Sequence, residues 1–91
     1  MSATIHCRHI LVEHQYEVDD ILRKLDSGES FEEMARIFSK CPSSKQGGDL
    51  GKFPKGRMDE TFEAAAFALK KNEISPPVRT SFGYHLIQRI G

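Results

Sequence analysis

Two strand-like segments stand at opposite ends of this chain, and each carries a histidine among apolar residues. His6-Cys7-Arg8-His9-Ile10-Leu11-Val12 runs near the start, and Thr80-Ser81-Phe82-Gly83-Tyr84-His85-Leu86-Ile87 near the end. In a domain of 91 residues, with room for one modest core, two such strands point to neighbouring places in a small sheet. The pattern therefore predicts that His9 and His85 meet in a largely apolar setting, with a hydroxyl of Thr80 or Ser81 at hand to fix a tautomer.

The stretch between them supplies helices. Residues 4 to 12 alternate imperfectly and are rich in Ile, Leu and Val, which predicts a strand buried on both faces. Alternation puts Ile5, Cys7, His9 and Leu11 on one face, and His6, Arg8, Ile10 and Val12 on the other. Val18, Ile21, Leu22 and Leu25 follow at helical spacing, with Gly28 as the stop. Ser30 to Glu33 reads as a capping box, Ser30 capping and Glu33 reaching back, ahead of a stripe of Phe31, Met34, Ala35 and Phe38. Pro42 and the Gly47-Gly48 pair mark a loop or short turn from Cys41 to Asp49.

Leu50 to Phe53 reads as a short edge strand, and Asp59 to Leu69 as an Ala-rich helix with Phe62, Ala65, Ala66 and Leu69 on one side. After Ser75-Pro76-Pro77 come Val78 to Thr80, a turn at Gly83, and a last strand from Tyr84 to Ile90. The order β-α-α-β-α-β-β predicts an α+β fold: a short antiparallel sheet covered by helices. No repeat or linker divides residues 1–91, so they read as one domain. Met1 reads as a true start and the chain as a whole protein.

Charge and cysteine usage narrow the partners. Lys plus Arg and Asp plus Glu are 13 each, a formal net charge of zero, without the basic excess of a nucleic-acid binder. Lys40, Lys45, Lys52, Lys55 and Arg57 read as a solvated stretch. No apolar run approaches the ~20 residues that span a bilayer, and no secretory signal is visible. Cys7 and Cys41 read as free thiols of a cytoplasmic protein. Without an apolar stripe to spare, the domain reads as a monomer.

Candidate chemistry is sparse. His6 and His14 read as exposed, and Cys7 as core. Cys41 is either a small apolar filler or a reactive thiol. His6, Cys7, His9, Cys41 and His85 lack paired-ligand spacing, so no metal is expected. Gly47-Gly48-Asp49-Leu50-Gly51 lacks the ending of a phosphate loop and reads as a turn that places Leu50. Met58 and Phe62, four residues apart, suit the floor of an apolar pocket, as does Phe82.

Taken in order, His9-Ile10-Leu11-Val12, Cys41-Pro42-Ser43, Gly47 to Gly51, Phe62 and Phe82 to Ile87 resemble the parvulin family of peptidyl-prolyl cis/trans isomerases. The resemblance covers nearly the whole chain. It implies a four-stranded antiparallel sheet surrounded by about four helices, in the order β-α-α-(short helix)-β-α-β-β, and a role in protein folding with proline-containing polypeptides as substrates. Neither cofactor nor metal is implied. His9 and His85 would be the paired histidines at the bottom of the site, with Thr80 hydrogen-bonded to them. Cys41 would face the rotating amide. Leu50, Met58, Phe62 and Phe82 would take the proline ring. The segment Glu13-His14-Gln15-Tyr16-Glu17 departs from the arginine-bearing loop of phosphate-directed members, which implies that an apolar or uncharged residue before proline is accepted. Asn72 stands where glycine is frequent. Two other readings remain: a proline-peptide-binding module or chaperone with little catalysis, and a thiol hydrolase using Cys41 with a histidine.

Overall fold

A computed structural model describes residues 4–91; Met1, read as a true start, lies outside them. The elements run β1 (Thr4–Val12), α1 (Gln15–Asp26), α2 (Phe31–Phe38), a 3-10 helix (Pro42–Gln46), β2 (Asp49–Pro54), α3 (Glu60–Phe67), β3 (Val78–Thr80) and β4 (Gly83–Arg89). The sheet is antiparallel throughout, in the order β2-β1-β4-β3. The α+β expectation and its element order hold, and the short helix that the resemblance implies between the second helix and the second strand is the 3-10 helix.

Local signals explain most boundaries. Ser30 caps α2 by accepting the Glu33 N–H at 3.1 Å, which satisfies one of the helix's orphan donors. The Glu33 carboxylate does not complete the expected box; it lies 3.6 Å from Arg36. Asp59 caps α3, its carboxylate accepting the N–H groups of Thr61 and Phe62. The helix ends at Phe67, but Leu69 beyond it still points inward, 7 % exposed. Asn72 takes the left-handed conformation at φ 70°, which asparagine tolerates better than most residues.

Because β1 and β4 are the inner strands, each must be apolar on both faces. One face carries Ile5, Cys7, Phe53, Val78 and Ile87, packed against Phe62, Ala66 and Leu69. The other carries Ile10, Val12 and Leu86, packed against Val18 and Ile21 of α1 and Phe31, Met34 and Ala35 of α2. His9 and His85 fall on the α3 face by alternation.

An irregularity in β2 positions the site. Ile5 pairs with Phe53 and His6 with Lys52, but Arg8 pairs with Asp49, so Leu50 and Gly51 together oppose Cys7. This bulge uses the left-handed φ of Gly51, +73°, and re-aims its neighbour. In an unbroken strand, residues three apart point to opposite faces. The bulge instead lets Leu50 pack on the same core as Phe53.

Candidate active site

The paired register of β1 and β4 sets His9 opposite Ile87 and Leu11 opposite His85. The two imidazoles are thus diagonal neighbours on one face. Both are buried, each 5 % exposed, and their Nδ1 atoms lie 3.1 Å apart. Thr80 Oγ1 lies 2.7 Å from His85 Nε2 and accepts the Phe82 N–H at 3.2 Å. The residues alone offered Thr80 or Ser81, and the resemblance implied Thr80; β3 ends at Thr80, opposite Gly83, and turns its hydroxyl to the ring.

The Thr80 hydroxyl, with one lone pair filled by the Phe82 N–H, has both a proton and a second lone pair to offer His85 Nε2. Where it donates, His85 Nδ1 donates to His9 Nδ1; where it accepts, His9 Nδ1 donates to His85 Nδ1. In both tautomers His9 Nε2 is a buried atom without a hydrogen-bond partner. Burial first, and then the adjacent His85, push the His9 pKa down to about 4. Burial also lowers that of His85, against the opposing pull of Asp59. Both rings are therefore neutral near pH 7.

Phe62 stands edge-to-face against both imidazoles, its centroid 5.5 Å from His9 and 5.3 Å from His85. The Asp59 cap holds it there. Above this floor lies a cavity of about 370 Å³, lined by His9, Leu11, Lys40, Cys41, Pro42, Leu50, Met58, Asp59, Phe62, Phe82 and His85. Of the eight expected site residues, only Thr80 is not a wall; it lies behind His85. Phe82 borders the cavity but is 70 % exposed, against 3 % for Phe62, so it stands at the mouth.

Cys41 is half-buried and begins the 3-10 helix, its carbonyl accepting the Ser44 N–H. Its position depends on Ser39, a residue no sequence signal singled out. Ser39 Oγ accepts the N–H groups of both Leu11 and Cys41, and the Lys40 N–H donates to Leu11 O at 2.7 Å. These bonds stitch the segment to the end of β1. Gly48 does the same at its other end: its carbonyl accepts the His9 N–H at 2.9 Å. A Cβ on Gly48 would fall 2.4 Å from His9 O, so only glycine lies this close to the strand.

Leu11, Lys40, Pro42 and Asp59 were missed as wall residues; alternation had already put Leu11 on the His9 face. The expected exposure of His6 is corrected: it is half-buried, with Nε2 2.7 Å from Asp49 Oδ1. Asp49 Oδ1 also accepts the Gly51 N–H at 2.7 Å, so the pair pins the bulge. Burial acts to raise the Asp49 pKa, but Gly51, His6 and Arg8 outweigh it and hold the carboxyl below its ordinary value. His14 is exposed as expected, stacked on Tyr16. Cys7 is core, 0 % exposed, and burial pushes its thiol up to about 11.

The site offers no thiolate–imidazole pair. The His85 nitrogens and His9 Nδ1 are engaged with each other and Thr80, and His9 Nε2 has no partner. Among the described residues, no group of three His, Cys, Asp or Glu side chains is placed to hold a metal, and no helix is long and apolar enough to cross a membrane.

Residues 9–91 match the family model described as Rotamase: PPIC-type PPIASE domain. The foldase protein PrsA of Bacillus subtilis (strain 168) is 46% identical over 90 residues, covering 98% of this chain and 31% of that protein. The chaperone SurA of Burkholderia thailandensis is 41% identical over 95 residues, covering 94% of this chain and 21% of that protein. The crystal structure of the peptidylprolyl isomerase PrsA from Bacillus anthracis is similar at a TM-score of 0.95 and 45% identity, over 99% of this chain and 42% of that one. The solution structure of NmPin, the parvuline of Nitrosopumilus maritimus, gives 0.90 and 47% identity, over 100% of this chain and 99% of that one. The chain thus spans 31% of the length of the Bacillus subtilis relative but nearly all of the parvuline.

Proposed function

Because the chain belongs to the PPIC-type rotamase family, the parvulin peptidyl-prolyl isomerases, we propose that it accelerates cis/trans rotation of X-Pro bonds in flexible or unfolded polypeptide segments, and so assists folding. The observation that carries this reading is the apolar cavity floored by two neutral, buried histidines, with Cys41 on its wall.

Rotation about X-Pro has a barrier of about 18–20 kcal/mol, because it breaks amide resonance. No covalent bond need be cleaved. Leu50, Met58 and Phe62 hold the proline ring while the preceding carbonyl swings past Cys41. The planar amide is the more charge-separated form, so a site that strips away water disfavours it relative to the twisted one. A thousandfold acceleration requires about 4 kcal/mol of such preference. The histidine pair fixes the shape of the floor, and Cys41 acts through its polarity, without forming a bond to substrate. No cofactor or metal takes part.

The acidic segment after β1, with Glu13 and Glu17 in place of arginines, supports turnover without a phosphate before proline and acceptance of apolar or uncharged residues there. The cavity is built within one chain, which supports action as a monomer on proline-containing polypeptides, away from nucleic acid and membrane. The two free thiols fit a reducing compartment, the cytoplasm.

Exchange spectroscopy by NMR on an X-Pro tetrapeptide tests the reading. Catalytic amounts of protein should bring cis and trans signals into fast exchange, with no more than a few-fold gain from a phosphoserine before proline. The similarity to a protein named as a chaperone favours one rival, a proline-peptide binder. A binder would shift or broaden the peptide lines without faster exchange, and that outcome would replace the isomerase reading.

A further inference from the structure

Among the residues that line the cavity, only Lys40 and Asp59 carry charge, since both imidazoles are neutral. They come from different walls. Lys40 lies beside Cys41, ahead of the 3-10 helix, and Asp59 lies beside Met58 as the cap of α3. Neither joins an ion pair among the described residues, and Arg57, two residues before Asp59, joins none either. The cavity therefore has a positive and a negative rim, with apolar surface between them.

Of the two charges, that of Asp59 is held in place. Its Oδ1 accepts the N–H groups of Thr61 at 2.9 Å and Phe62 at 3.2 Å, while Oδ2 takes no hydrogen bond among the described residues. The N-terminus of α3 favours negative charge at this position. That charge reaches the cavity floor, where it pulls the His85 pKa upward against burial. Asn and Ser cap helices about as well as Asp, so capping does not account for a carboxylate here. Glu63, in the same turn, is already engaged with the Gly56 N–H. Lys40, in contrast, carries its ammonium on a flexible stem, which a partner would have to immobilise. A fixed charge beside apolar walls, which focus its field, costs a ligand less to engage.

We propose that Asp59 sets a charge specificity: its carboxylate pairs with a basic side chain in one of the two residues after proline, so that the domain favours Lys or Arg there. This rests on the reading that the proline ring sits against Leu50, Met58 and Phe62. The carbonyl that swings past Cys41 belongs to the preceding residue, which places the chain before proline on the Cys41 wall. The chain after proline leaves from the other side of the ring. Met58 flanks the ring and Asp59 is the next residue, so this exit passes the carboxylate. An extended chain advances about 3.3–3.6 Å per residue, which keeps both residues after proline within reach of a lysine-length side chain.

The test is kcat/KM for peptides of the form Ala-Leu-Pro-Xaa-Xaa, with Xaa as Lys, Gln or Glu and both chain ends blocked. A control series carries the same residues ahead of Leu-Pro. The wild-type protein should favour Lys over Glu after proline by about five- to tenfold at low salt, and by no more than about twofold in about 1 M salt. Asp59→Asn and Asp59→Ser each keep an oxygen for the Thr61 and Phe62 N–H groups, and both should bring the ratio within about twofold of unity. A wild-type ratio near unity, or one that survives both neutral variants, would overturn the proposal. So would a ratio that belongs to the residues before proline, or one lost in Lys40→Gln but kept in Asp59→Asn. If the protein accelerates none of the peptides, the isomerase reading fails, and the charge specificity is read by titration instead. Lys peptides should then bind more tightly than Glu peptides only while Asp59 is present, and equal affinities in the wild type would overturn the proposal.

Discussion

His9 Nδ1 and His85 Nδ1 face each other across 3.1 Å inside the protein, so only one of the two atoms holds a proton when both rings are neutral. Burial and the neighbouring ring push the His9 pKa from 6.5 down to about 4. A base with a lower pKa in the folded state takes its proton first when unfolded, so acid favours unfolding. The contribution of neutral His9 is complete above pH 6.5 and is lost as pH falls from there through about 4, by about 3 kcal/mol. His85 is shifted in the same direction and steepens the loss. Urea unfolding between pH 4 and pH 8 should show stability rising with pH over this window, and His9→Gln should flatten the rise. An unchanged slope would place the acid sensitivity elsewhere. Because the pair is assigned to shape the floor, His9→Gln should also lower stability; activity that vanished with stability intact would contradict that assignment.

Thr80 is the only hydroxyl among the described residues bonded to the pair, and it also holds the turn that carries Phe82. Thr80→Val keeps the shape but removes the hydroxyl, leaving His85 Nε2 and the Phe82 N–H without it. The expected cost is about 1–3 kcal/mol in chemical denaturation, with reduced isomerase activity. Thr80→Ser should restore most of both. Loss in the Ser variant with stability kept in the Val variant would mean that the threonine methyl, not the hydroxyl, matters.

Local features of this fold could be read from sequence, whereas long-range ones could not. Ser30 announced its helix because a cap acts within one turn, and alternation put His9 and Leu11 on one face because a strand repeats every two residues. The distance between His9 and His85, in contrast, is set by the register of β1 against β4, a property of two segments 76 residues apart. His6 looked exposed because its partner, Asp49, is 43 residues away. Leu50 was assigned to the pocket only through resemblance, since period-two reasoning from Phe53 sends it to the other face; a bulge breaks that period. The mouth position of Phe82 depends on the β3–β4 turn, and a composition of apolar residues around Gly83 could not separate mouth from floor.

Cys41 borders the cavity, and no imidazole nitrogen is free to activate it except the unpartnered, buried His9 Nε2. A role through polarity predicts that Cys41→Asp, which abolishes thiol chemistry, keeps kcat/KM within about tenfold of wild type, a difference of about 1.4 kcal/mol. Cys41→Ala, which removes the polar group, should be the worse variant in the same exchange assay. Complete loss in Cys41→Asp, with the fold intact by circular dichroism, would return the thiol to a chemical role.

The bulge at Leu50-Gly51 separates strand pairing from pocket shape. Without Gly51, Lys52 and Phe53 keep their pairing with His6 and Ile5, and Leu50 meets Cys7 in regular register. Residues two apart share a face, so Leu50 stays on the side of Phe53, toward Met58 and Phe62. What is lost is the Gly51 N–H that Asp49 accepts, which weakens its hold on His6. The core strands β1 and β4 are untouched, so the deletion variant should fold, with some loss of stability, and keep kcat/KM within about tenfold of wild type. Leu50→Ala, which removes the wall itself, should cost about tenfold or more in isomerase activity. A folded Leu50→Ala variant with near wild-type kcat/KM would show that the proline ring does not rest on Leu50.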